Sequence, residues 1–199
     1  MTTLPLTSTR PRSPMRTFDP VKVAHFEKEA WAAYYQRKWF TLLRLLIGLV
    51  RSTYGLSLLQ AIRMGLPLTR AQMAFAPQDN DVPKAIGHMR QFFAFIKQHH
   101  HENLDPDEAA LAEVSWWAVH RKFFGHSDNP EVAEAVARAY AAAYRIDPAQ
   151  VREAAYHRAM AMVYSDAWVL SKRDPSDPRL QQEEEELIKS YTALKKAIS

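Results

Sequence analysis

Four polar side chains sit among apolar neighbours at helical spacing, and any chemistry of this chain starts from them. Asp166 has Met162, Val163, Val169 and Leu170 three and four residues away; Glu113 has Ala109, Ala110, Trp116 and Trp117. His120 lies among Trp116, Trp117, Phe123 and Phe124, and Arg44 among Phe40, Thr41, Ile47 and Gly48. On a helix such groups share a face with their apolar neighbours and point toward a core or a cleft. Aromatic residues gather in the same stretches, as Trp31, Tyr34, Tyr35 and Trp39 and again as Trp116, Trp117, Tyr164 and Trp168. A pocket walled by Trp117 and its neighbours, with Glu113, His120, Tyr164 and Asp166 as its few polar groups, has the makeup of a small-molecule site. Arg37, Arg44 and Arg51 recur every seven residues and form one stripe. The stripe is either a solvated edge whose stems cover apolar surface, or a set of partners for buried acids such as Glu113 and Asp166; in the second case Arg37 and Arg44 help to anchor an anionic ligand.

Metal binding is the alternative chemistry. Glu153 and His157, four residues apart, can share an ion, whereas Glu113 and His120 are separated by about 10.5 Å of helical rise and cannot. A ferritin-like carboxylate and histidine enzyme would repeat Glu-x-x-His on two helices, and the chain has no such motif. Its site would need Glu29, Glu113, Glu153, His157 and Asp166 to converge from different helices. The run His99 to His101 falls at a predicted helix C-terminus, where histidine suits the dipole. Asp79-Asn80-Asp81 lacks the glycine and distal glutamate of a calcium loop. No Gly-rich phosphate loop, Gly-x-Ser-x-Gly elbow or His-Glu-x-x-His pair is present, so nucleotide and hydrolase readings have no sequence basis, and no motif indicates a cofactor.

The elements that must position these residues are helices. Asp or Asn precedes Pro at Asp19, Asp105, Asn129, Asp147, Asp174 and Asp177. Each pair offers an N-cap acceptor followed by a residue with no N–H to lose, and the last two compete for one start. Helices are expected over 20–53, over 56–76 with a kink or break at Gly65-Leu66-Pro67, and over 82–101, 106–124, 130–144, 148–173 and 178–198. Long helices joined by short turns give an all-α, single-domain bundle of about six to seven helices, mostly antiparallel neighbours, built on a long first helix. Residues 1–18, rich in Thr, Ser, Pro and Arg, read as a flexible basic arm before a single helical domain over 19–199.

The 199 residues suffice for one core. The absence of cysteine removes disulfides and thiolate sites, and with no apolar leader and no run long enough to span a bilayer a cytoplasmic location is expected. Residues 1–70 carry eleven Lys or Arg against three acids, a net charge of +8, and the remainder carries −4. The basic half meets the acidic half of its own fold, an anionic membrane or nucleic acid. The leading expectation is a ligand-binding bundle, with a small molecule or a protein as partner. The others are the metal enzyme and a basic interaction module for an acidic partner, a lipid surface or DNA. No motif points to nucleic acid, and a homo-oligomer is compatible with all three.

Overall fold

The computed structural model describes residues 13–199, which form eight α-helices and no strand among the described residues. These are α1 (Pro20–Tyr35), α2 (Trp39–Tyr54), α3 (Leu58–Phe75), α4 (Val82–His100), α5 (Pro106–Lys122), α6 (Pro130–Tyr144), α7 (Arg152–Val169) and α8 (Pro178–Ile198). The Asx-Pro device starts α1, α5, α6 and α8, with Asp19, Asp105, Asn129 and Asp177 each accepting a backbone N–H of the first turn. Asp147 caps a short 3₁₀ turn, Pro148–Val151, that runs into α7. Asp174 loses the competition for α8 and closes a local turn by accepting from Ser176 N–H.

Two expected boundaries are corrected. The single helix over 20–53 is two helices, because Arg37 adopts a left-handed conformation (φ 55°) and the chain folds back. Neither glycine nor proline marks this break. It is stabilised by the backbone bonds from Arg37 N–H to Tyr34 and from Lys38 N–H to Ala33, and by Tyr34 and Trp39 meeting edge to face across the turn. The reversal lets α2 pack on α1, with the Phe26 ring filling the space that a Cβ on Gly48 would occupy. The second boundary concerns α3, which runs unbroken through Pro67. Proline there deletes one helical bond, but the residue is buried and the neighbouring turn is tightened by Thr69, whose hydroxyl donates to the Gly65 carbonyl at 2.7 Å.

Of the expected arm, residues 1–12 lie outside the described residues. Residues 13–18 are packed: Met15 and Phe18 are buried, and Arg16 donates to the Tyr144 and Ile198 carbonyls and to Glu102.

Helix packing follows chain order. Each helix lies on the next, and α8 returns to lie on α1, so the succession of contacts closes into a ring. Apolar side chains such as Leu42, Leu46, Met89, Ile96, Met162 and Leu194 fill the interior. What they leave open is a central chamber to which all eight helices contribute lining residues.

Candidate functional site

The chamber has a volume of about 140 Å³ and is walled largely by aromatic and aliphatic side chains, among them Trp31, Tyr54, Phe92, Trp116, Trp117 and Tyr144. Its polar centre is the buried Arg158 of α7. Nη2 donates to Glu27 Oε1 of α1, and Nη1 donates to the Tyr140 hydroxyl of α6 at 2.9 Å. The other oxygen of Glu27 accepts from the Tyr191 hydroxyl of α8, while Tyr140 is itself braced against Ser190. Three rings surround the guanidinium carbon, with centroids at 5.0 Å for Trp116, 5.4 Å for Tyr140 and 5.8 Å for Trp31. Burial works against the Arg158 charge, yet Glu27 and the surrounding acidic groups together hold its pKa well above the usual value. The pair is therefore a closed ionic unit inside apolar walls.

Glu113 of α5 lines the same chamber and accepts from Trp117 Nε1–H at 3.2 Å. Burial raises its pKa, and the nearby Arg158 charge opposes that rise. Three buried polar atoms on lining residues have no protein partner among the described residues: Thr53 Oγ1, Gln72 Oε1 and Arg158 Nε. Most buried polar atoms in folded proteins are hydrogen-bonded, and an orphan costs about 1–3 kcal/mol.

A cleft of about 130 Å³ adjoins the chamber and shares Trp31, Gln72, Trp116 and Trp117 with it. Tyr34, Tyr35, Phe75, His120, Arg121 and Phe124 complete its lining. Arg121 is pinned there, with its guanidinium 4.1 Å from the Phe75 ring centroid and donating to the Phe75 and Pro77 carbonyls. His120 is fixed from behind. Its Nε2 lies 2.9 Å from Asp166 Oδ1, and Asp166 Oδ2 accepts from Gly125 N–H at 3.0 Å and from the Ser127 hydroxyl at 2.5 Å. A carboxylate that only accepts places the proton on Nε2, so Nδ1 of the neutral ring carries a lone pair. That nitrogen has no protein partner among the described residues.

Several expected site residues thus come together and others do not. Glu113 and Trp117 line the chamber and His120 lines the cleft, with Asp166 behind it. Tyr164 lines neither space. Arg37 and Arg44 are exposed, as is Arg51, so the arginine stripe is wet and is no partner for the buried acids. Asp166 is satisfied by His120, Ser127 and a backbone N–H instead. The residues of the metal reading are dispersed: Glu29 meets Lys28, Glu153 is exposed, and His157 is bound to Glu186 on α8. No group of three or more His, Asp or Glu side chains is placed to hold an ion among the described residues.

The central pair was missed although its signal is in the sequence. Glu27 has Val23, Ala24, Ala30 and Trp31 at three and four residues, and Arg158 has Ala154, Ala155, Ala161 and Met162. Both satisfy the criterion that singled out Asp166. Compared with protein-family models, curated proteins and solved structures, the chain matches none of them, and its reading rests on its own geometry.

Proposed function

We propose that the protein binds a small ring-bearing organic molecule in the aromatic chamber, with the adjoining cleft as its way in. The observation that carries this reading is the set of unpaired polar atoms on Thr53, Gln72 and Arg158 around one apolar cavity. Few, fixed polar groups in an aromatic wall are the general makeup of a ligand site. A cavity near 150 Å³ takes a molecule of about benzene's size. Arg158 Nε–H asks for an acceptor on the ligand and Gln72 Oε1 for a donor, so a ring carrying a hydroxyl or amide suits the site better than a bare hydrocarbon.

The test uses phenol and benzene as probes of the full chain, read by the change in tryptophan fluorescence, since Trp31, Trp116 and Trp117 line the site. Saturable one-to-one binding of phenol, weakened about tenfold by Gln72→Leu at the cost of one hydrogen bond, supports the reading. No binding of either probe, together with native mass spectra showing no retained molecule, would leave the chamber as a packing defect.

A second reading, acid–base catalysis, is favoured by His120 alone. Asp166 orients the ring and leaves a basic nitrogen without a protein partner on a residue that lines the cleft, the arrangement a general base requires. A ligand whose binding takes up a proton at His120, abolished in His120→Asn without loss of fold, would support it; proton-neutral binding would not.

A further inference from the structure

We propose that helices α2 and α3 dock the protein on an anionic lipid surface. Between residues 30 and 78 the sequence holds six cations, Arg37, Lys38, Arg44, Arg51, Arg63 and Arg70, and no acid. All six are exposed, and none forms an ion pair among the described residues. Elsewhere exposed arginines do find acids, as Arg145 finds Glu108 and Arg138 finds Glu134. The basic half of the chain is therefore not neutralised by its acidic half on these two helices.

The same helices carry an unusual apolar surface. Of the ten large hydrophobic side chains exposed among the described residues, six lie on them: Phe40, Leu58, Leu59, Ile62, Leu66 and Met73. Phe40 is 92% exposed and Leu59 80%. On α3, Leu59, Ile62, Leu66 and Met73 follow at intervals of three, four and seven residues and so share one face, which Arg63 and Arg70 border on one side. Arg63 also stacks over Phe95 at 5.7 Å, which holds its head beside that face. On α2 the exposed edge is Phe40, Arg44 and Arg51. The two helices cross where Gly65 backs on Ile47, and Leu58 and Phe40 each lie two turns from that crossing.

An apolar stripe edged by unpaired cations is the surface of a helix lying in a membrane interface. Among the described residues no single helix is long and apolar enough to cross a membrane; α2 and α3 together are apolar enough but turn by 118° between them. Charge complementarity selects an anionic headgroup layer. Nucleic acid would satisfy the arginines but offers nothing to Phe40, Leu59 and Leu66, which gain only by entering hydrocarbon.

The test is flotation of the full chain with vesicles of pure phosphatidylcholine and of equal parts phosphatidylcholine and phosphatidylserine. Binding to the mixed vesicles is expected, with little to the neutral ones and a fall as salt rises. Each of Arg44→Gln and Arg70→Gln lowers the partition coefficient about fivefold. Phe40→Ser with Leu59→Ser lowers it roughly tenfold or more while leaving the circular dichroism unchanged, since both side chains are already in solvent. Absence of vesicle binding overturns the proposal. So does binding that ignores the Phe40 and Leu59 changes, and so does duplex DNA binding of equal strength that ignores them, which would assign the surface to phosphate alone.

Discussion

Removing the buried cation at position 158 should be among the most costly single changes in this protein, and removing its partner as well should recover most of the loss. Glu27 is 3% exposed and Arg158 9% exposed. In Arg158→Met the Glu27 carboxylate keeps, among the described residues, only the Tyr191 hydroxyl as a partner inside an aromatic chamber. Stranding a buried charge in this way costs about 3–5 kcal/mol. For a chain of this length that is a fall in Tm on the order of 10 °C. Glu27→Leu strands Arg158 instead and should cost about as much, moderated by Glu113 nearby. The double variant Glu27→Leu/Arg158→Met replaces both ions by apolar groups of similar bulk, and its stability should exceed that of either single variant. Arg158→Lys should not rescue the wild type, since an ammonium cannot reach Glu27 and Tyr140 together or lie flat among three rings. Urea denaturation followed by circular dichroism at neutral pH measures all four. Additive costs in the double variant, or a loss below about 1 kcal/mol for Arg158→Met, would refute the reading of a closed, desolvated unit.

Glu183 is buried with Oε1 unpaired, and burial, followed by the Glu27 charge, raises its pKa well above the usual value. The unfolded chain releases that proton near pH 4.3 while the folded chain keeps it to higher pH, so this residue lowers stability as pH rises above about 4. Glu183→Gln should therefore raise Tm at neutral pH and leave it unchanged near pH 3; an equal shift at both would refute the linkage. Two glycine replacements should have opposite signs. Gly87→Ala meets no atom within 4 Å and should gain about 0.5–1 kcal/mol of helix stability. Gly65→Ala, whose Cβ would lie 2.7 Å from Ile47 Cγ1, should lose about 1–3 kcal/mol on thermal or urea melting.

Helix starts were readable because an Asx cap followed by proline is a local device that needs no partner elsewhere in the chain. The break after Tyr35 was not, since Arg37 takes a left-handed conformation that only the packing of α2 against α1 rewards. At Pro67 the helix is not broken, and the buried position of the residue is a tertiary fact that the local pattern does not carry. Within the site, the apolar-neighbour criterion correctly marked Asp166, Glu113 and His120 as inward groups. It failed at Arg44 because its apolar neighbour Phe40 is itself in solvent, so an apolar neighbour does not by itself mark a covered face. It also did not pair inward groups with one another, and the partner of Asp166 came from the C-terminal end of α5 rather than from the arginine stripe.

The ring of helices has a consequence for how the chain is made. Glu27 is synthesised before both of its partners, which follow 131 and 164 residues later. Until α7 and α8 have been translated, the first helix carries a carboxylate that is at ease in water and ill suited to burial. Burial of Glu27 therefore waits on α7 and α8, and closing the ring of helices is a long-range step. A nascent chain stopped before Pro178 would lack both that closing element and, in Tyr191, one of the two groups that make burial of Glu27 tolerable.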